Sequence, residues 1–497
     1  MKNRARWMVM LAVSFALVAS TLLRVSDAKR NDYRTRADNK KASQMATLTK
    51  SHFDPNVASP RAQKSESPTP VVSQAVAFAV SEPVSEMEEK TELSESMRRG
   101  KVETNQESPE KNVSPPFSGH EDFDAAISSQ APSTSPAIPS PASNFEALSN
   151  QDNATHPALL VFVNPPDTVG DVGPTQYVQA TNLLFRVFDK TGVPQTAPQP
   201  ISALFAGLGA PCSNTDDGDP IVLYDSLADR WIITQFMVSG AAPLSQCFAI
   251  SQTGNAAGAY YTYRFVMPNA KFNDYPKFGV WPDGYYWSNN QFNLAGTAFL
   301  GVGVFALDRA KLLAGDPTAS YIFFDLETTI SNARSMLPSD ADGLNPPPAG
   351  APNVFSYFNA NEFVGETDSL RLYEFDADFA NPMSSTFTQR PESPVAVAAF
   401  NPLTPTGRDD IEQPPPSGAT TALDAIGDRL MHRLQYRNFG AYESLITNHT
   451  VNVGTGTTLA THQAAVRYYE LRRTLPGGSW TVNEQATHNP NTDNRWM

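Results

Sequence analysis

Beyond His156 the sequence returns again and again to one kind of segment. Runs of four to eight aromatic and β-branched residues are closed off by Gly, Pro, Asn or Asp, as in LLFRVFDKTG (183–192), DPIVLYDSLADRWIITQF (219–236), CFAISQTGNAAGAYYTYRF (247–265) and FGVWPDGYYWSNNQF (278–292). Strand-length apolar runs with short turns at regular intervals specify an all-β body. Helical periodicity is scarce; the best short helix lies at 307–315 (LDRAKLLAG), stopped by Gly315 and Pro317.

A repeat underlies these strands. Gly170-Asp171, Gly218-Asp219 and Gly427-Asp428 each precede an apolar run, and Phe278-Gly279-Val280-Trp281 and Pro352-Asn353-Val354-Phe355 stand in similar places. Taking Asp171, Asp219, Val280, Asn353 and Asp428 as markers, the spacings are 48, 61, 73 and 75 residues. A four-stranded unit recurring with loop insertions predicts a β-propeller rather than a sandwich, because blades remove exposed edges by radial repetition. Five to seven four-stranded blades are expected, with the last one incomplete if the natural chain continues past Met497.

Several segments resemble one family. GDPIVLYDSLADRW (218–231), NDYPKFGVWPDGYYWSNNQF (273–292), ALDAIGDRLMHRLQYRNFGAYESLITNHTV (422–451) and PPDTVGDVGPTQYVQATN (165–182) look like blades of secreted bacterial β-propeller proteins of largely uncharacterised function, distantly similar to sialidase-like and BNR-repeat propellers. The resemblance implies fold and export more than activity. The sialidase-type Asp box survives only as a degenerate echo at 251–261, with no Asp between Ser251 and Gly258.

The body is expected over 154–497, after two different segments. Lys2, Arg4 and Arg6 precede an apolar run over 7–23, and small residues flank Asp27, so 1–28 reads as a Sec-type signal peptide. An uncleaved signal anchor is the alternative, and only it would place the protein on a membrane; either way the rest is exported, to a secreted, periplasmic or cell-surface location. Residues 29–153, rich in Pro, Ser and Glu, read as a disordered linker, in which the apolar stretch 71–80 is the one place an element could form. Cys212 and Cys247 are the only two cysteines and are expected to form a disulfide in an oxidising compartment.

The chemistry is harder to read. Lys+Arg 37 against Asp+Glu 51 gives a net charge of −14, the wrong sign for a nucleic-acid partner. The seven His residues show no metal-ligand spacing, and no nucleophile elbow or phosphate loop is present. Asp171, Asp219 and Asp428, at matching points of the repeat, could ring one mouth of the propeller as ligand-binding residues, and Trp231 and Tyr286 could offer stacking faces. Asp216, Asp217 and Asp219, and more weakly Asp340 and Asp342 before Gly343, are the carboxylate clusters suited to calcium, neither with EF-hand spacing; the first is the candidate site, and no other cofactor is indicated. Without a singular catalytic constellation, the expected function is an exported, non-enzymatic recognition or scaffold propeller for a carbohydrate or protein ligand. The rival is a sialidase-like or other glycoside hydrolase acting at the mouth. The discriminator is positional: converging acids in one central pocket for an enzyme, an uncharged aromatic shelf for a binder.

Overall fold

The computed structural model describes residues 68–92, 124–126, 140–163, 165–238, 243–405, 409–413, 418–456, 458, 460–491 and 493–494. The signal peptide and most of the expected linker lie outside the described residues. Among the described residues, twenty strands form five blades of four strands each, and Asp409–Gln413 pairs with Gly418–Asp424 in a separate two-stranded sheet. Blade 1 is Val169–Val172, Gln176–Thr181, Leu184–Asp189 and Gln199–Pro200. Blade 2 is Ile221–Asp225, Arg230–Met237, Ser245–Ser251 and Tyr260–Val266. Blade 3 is Lys271–Val280, Gly284–Asn293, Phe299–Asp308 and Ser320–Asp325. Blade 4 is Leu337–Asp342, Asn353–Asn359, Ser369–Asp376 and Thr386–Gln389, and blade 5 is Met431–Asn438, Tyr442–Asn452, Ala464–Thr474 and Thr481–His488. The protein is a five-bladed β-propeller.

The first strand of each blade lies innermost, and the inner strands touch in succession from blade 1 to blade 5 around a central channel. Between blades 4 and 5 the two inner strands pair in parallel, from Ser339 opposite Leu434 to Asp342 opposite Arg437. Close approach at the centre has a cost in side-chain volume. A Cβ on Gly279 of blade 3 would stand 2.5 Å from the Ser339 carbonyl oxygen of blade 4, so only glycine fits there.

Aromatic and β-branched side chains fill the wedges between blades. Ile233, Trp231, Val187 and Phe185 pack blade 1 on blade 2; Phe248, Phe278, Tyr285 and Trp287 pack blade 2 on blade 3; Tyr286, Phe355 and Phe375 pack blade 3 on blade 4. The expected helix forms over Arg309–Ala314, with the Asp308 side chain accepting from the Lys311 N–H and Gly315 ending it at φ 67°.

Part of the chain expected as linker is ordered sheet. Val71–Gln74 pairs with the outer strand of blade 3, and Ala77–Val80 pairs with the outer strand of blade 2. The cause is edge pairing: both outer strands present unpaired backbone groups, and the apolar stretch 71–80 satisfies them. Val84 then inserts into the wedge between blades 1 and 2. Lys90 reaches the Ser202 Oγ and the Ser213 carbonyl, both at 3.2 Å.

Cys212, in the connection from blade 1 to blade 2, is bonded to Cys247 on the third strand of blade 2. The bridge closes a sequence separation of 35 residues and both sulfurs are buried. Reduction should lower the unfolding free energy by about 3 kcal/mol, measured by urea titration with and without reductant; an unchanged midpoint would show that the bridge adds nothing.

Candidate functional site at the propeller mouth

Five non-glycine residues with left-handed backbone lie on or just ahead of the five inner strands: Asp167 (φ 41°), Asp219 (φ 45°) and Ser335 (φ 41°) two residues before them, Ile426 (φ 44°) in the approach to Met431, and Tyr275 (φ 55°) at the irregularity inside Lys271–Val280. Such conformations are uncommon for any residue with a Cβ, and strained for Tyr and Ile. There is one for each blade, occupied in turn by Asp, Asp, Tyr, Ser and Ile, so the recurrence is written in backbone more than in sequence.

This changes the register of the expected aspartate ring. Asp219 is itself the left-handed residue of blade 2, whereas Asp171 comes four residues after Asp167 and Asp428 two residues after Ile426. The three are therefore not equivalent. The counterpart of Asp219 in blade 1 is Asp167, and in blade 3 the irregular stretch between Asp274 and Lys277 brings both of those side chains to the mouth.

The mouth collects Asp167, Asp219, Asp274, Tyr275 and Lys277. The Asp167 and Asp219 carboxyls lie close enough for each to act on the ionisation of the other. Asp219 Oδ2 accepts from the Tyr275 N–H at 3.2 Å, and Asp274 Oδ1 accepts from the same N–H at 2.9 Å. Lys277 Nζ lies 3.7 Å from the centre of the Tyr275 ring, with the Arg429 guanidinium 4.7 Å from it. Arg429 grips Asp428 through two bonds of 2.8 Å, so Asp428 serves to hold an arginine at the mouth. Asp167, Asp219, Tyr275 and Lys277 are half-buried, while Asp274 is buried.

Electrostatics single out one member. Burial, and then the charges of Asp274 and Asp167, push the Asp219 carboxyl well above the usual carboxylate range, with only Lys277 and the Tyr275 N–H opposing. Burial also raises Asp167, but there the Asn182 amide, Lys277 and Asp219 act to lower it. Neighbouring like charges disfavour ionising both carboxyls, so the pair tends to keep one proton.

Deeper in the channel lies a second polar layer. Asp171 accepts from the Tyr224 N–H of blade 2, and Asp340 from the Val280 N–H of blade 3, both at 2.8 Å. Arg433 of blade 5 bonds Asp340 at 2.6 Å and also Asp342, and its charge acts on Asp171 of blade 1, which completes the circuit from blade 5 to blade 1. His432, beside Lys277 and Arg433, is pushed down to about 3 by burial and then by those two charges, so it is a neutral imidazole across the working range of pH. Burial pushes Asp340 up to about 6. A carboxyl raised on folding stabilises fully below its unfolded value, and that contribution is lost as pH rises through the folded one. Asp340→Asn should therefore gain on the wild type by roughly 2–3 kcal/mol as pH goes from 4 to 6, read from paired urea melts. A difference independent of pH would refute it.

The other expected site residues belong to the scaffold. Trp231 is fully buried against Tyr224, ring centres 5.0 Å apart, with its indole N–H donated to the Gly254 carbonyl. Tyr286 is equally buried, between Phe355 and Phe375. Neither can offer a face to a sugar, because blade-to-blade packing has taken both. The calcium trio does not converge. Asp216 accepts from the Ser202 N–H and hydroxyl, Asp217 accepts from the Val238 N–H, and Asp219 alone faces the channel. Among the described residues no group of three or more His, Cys, Asp or Glu side chains is arranged to hold a metal ion.

Comparison with known proteins adds little beyond the architecture. No protein-family pattern matches the chain, and no curated protein matches it. Solved structures do. One is an α-L-arabinofuranosidase from Lactobacillus brevis, with 13% identity and TM-score 0.28 over 68% of this chain and 97% of that one. Another is a glycoside hydrolase family 43 protein from Bacillus licheniformis, with 13% identity and TM-score 0.28 over 67% of this chain and 60% of that one. A third is the catalytic domain of a Coprinopsis cinerea family 62 α-L-arabinofuranosidase, with 11% identity and TM-score 0.27 over 64% of this chain and 88% of that one. These are glycoside hydrolases and not sialidases, and the expected non-enzymatic scaffold conflicts with them and is withdrawn. Scores this low carry no argument for an activity; that rests on the mouth.

Proposed function

We propose that the chain is an exported glycoside hydrolase whose reaction centre is the mouth of the propeller. The observation that carries this reading is the convergence of Asp167, Asp219 and Asp274 from three different blades, where burial and the charges of Asp274 and Asp167 raise the Asp219 carboxyl. Converging acids were the feature that separates an enzyme from a binder, and among the described residues the one aromatic ring beside them, Tyr275, is covered by Lys277 and Arg429. Glycosidic cleavage needs a protonated carboxyl at the leaving oxygen and an ionised carboxylate across the bond. Asp219 fills the first role. Asp167, which acts on the acid and is itself held by the Asn182 amide, keeps the proton in place. Asp274, reaching in from blade 3, supplies the second carboxylate. Lys277, beside the Tyr275 ring, supplies a positive hydrogen-bond donor for a sugar oxygen.

Export is supported by the basic-then-apolar start of the sequence and by the buried disulfide, which belongs to an oxidising compartment. The test is turnover by the purified full chain on a panel of aryl glycosides and plant and microbial polysaccharides. Hydrolysis that disappears in Asp219→Asn supports the reading. A panel without turnover, or turnover indifferent to Asp219→Asn and Asp274→Asn, would overturn it.

A further inference from the structure

Asn182 stands at the tip of the connection between the second and third strands of blade 1, where Thr181 pairs with Leu184 and only Asn182 and Leu183 make the turn. Leu183 takes φ 89°, a conformation normally left to glycine, and is wholly buried. A strained, fixed turn of this kind aims the Asn182 side chain at the mouth. Asn182 is itself buried, 4% exposed.

Its amide is saturated. Nδ2 donates to the Pro165 carbonyl at 2.9 Å and to Asp167 Oδ2 at 2.7 Å, and Oδ1 accepts from the Asp219 N–H at 2.9 Å. The orientation is forced by chemistry, since a backbone N–H can only donate and a carbonyl can only accept. Gly218 makes the approach feasible, because a Cβ there would stand 2.9 Å from Asn182 Oδ1. The backbone is held as well: the Asn182 N–H donates to the Pro166 carbonyl, and the Asn182 carbonyl accepts from Asn153 Nδ2 at 2.6 Å, from the helix Asn150–Thr155.

From this geometry we infer that Asn182 is the positioning residue of the acid pair: its amide presents only N–H to Asp167, which fixes Asp167 as the ionised partner and leaves the shared proton on Asp219. The inference deepens the reading of the mouth as a proton-transfer site and rests on it. The other groups facing the pair are Asp274, Tyr275 and Lys277 from blade 3 and, through the Tyr275 ring, Arg429 with Asp428 from the entrance to blade 5. All of these stay unchanged when Asn182 is altered.

The experiment uses the full chain labelled with carbon-13 at the aspartate carboxyls and follows the titration of the pair by NMR, without substrate. In wild type the higher titration is expected to vanish in Asp219→Asn and to persist in Asp167→Asn; the reverse pattern overturns the inference. Asn182→Asp keeps the acceptor for the Asp219 N–H and replaces the donor that faces Asp167 and the Pro165 carbonyl. It should move the lower titration of the pair up by about one pH unit or more, and Asn182→Ala should move it in the same direction. A lower titration unmoved in both folded variants overturns the inference too. Where the glycan panel turns over, the acid limb of kcat/KM should shift with the NMR value. Where it does not, a moved titration leaves Asn182 in its role and only the hydrolase reading falls.

Discussion

Asp124→Ala should destabilise the protein by about 3–5 kcal/mol, seen as a lowered urea midpoint with the slope preserved. Asp124 belongs to the described part of the segment ahead of blade 1, far in sequence from its partner. It pairs with Arg467 on the third strand of blade 5, and both side chains are 0% exposed. Its second oxygen accepts from the Thr487 hydroxyl at 2.8 Å. Removing the carboxylate leaves a guanidinium buried with only Thr487 Oγ1 and the carbonyls of Ala398 and Ala399 as acceptors, and no countercharge. A buried charge without its partner is what makes such losses large, so Asp124→Asn, which keeps a hydrogen-bond acceptor, should cost less than Asp124→Ala. A loss under about 1 kcal/mol for Asp124→Ala would show that the pair is not buried in solution.

The same contact says how the ring is held shut. Blade 1 is built wholly from the first strands of the body and blade 5 wholly from the last, so no blade mixes strands from the two ends. Residues ahead of blade 1 contribute instead: Val71–Gln74 and Ala77–Val80 on blades 3 and 2, Asp124 on blade 5, and the Leu148 N–H donating to Gln179 of blade 1 at 2.7 Å. Composition could not show this. A polar, proline-rich stretch lacks a core of its own, and its described parts sit where an outer blade strand offers unpaired backbone or a buried arginine offers its charge.

The blade strands themselves were legible, because apolar alternation and turn residues are local signals. The site was legible only in part. Asp219 was found, and the clustering of acids near the axis was expected, but in the wrong register, since the repeating feature is a left-handed backbone position occupied in turn by Asp, Asp, Tyr, Ser and Ile. Asp274 and Lys277 were missed. Their signal was a proline, Pro276, inside an otherwise strand-like run, which marks a bulge where side chains are re-aimed. Asn182 left a fainter trace, an Asn in a two-residue turn without the usual glycine after it. Trp231 and Tyr286 were weighed as surfaces and proved to be packing, as the wedge geometry of a propeller demands.

Asp219→Asn should lower kcat by at least about 10²-fold and up to 10⁴-fold while leaving KM within a few-fold of wild type, because it removes proton donation in the transition state and little of ground-state binding. The amide is close in shape to the carboxyl and can still accept from the Tyr275 N–H, so the fold should survive; unfolding midpoints of variant and wild type are the control. The sign of the pH effect follows from the raised carboxyl. In wild type the acid must be protonated, so the rate falls as pH rises through its raised value, which lies well above the usual carboxylate range. In Asp219→Asn that alkaline limb should be absent and the residual rate flat towards high pH. Leaving groups supply the sharper comparison. An aryl glycoside with a good leaving group needs little protonation, so its rate should fall far less in the variant than that of an alkyl glycoside or a polysaccharide. Equal losses on both substrates, with the alkaline limb retained, would place the proton donor elsewhere, and the carboxyl of Asp340, pushed up to about 6 in the deeper layer, would be the next to replace.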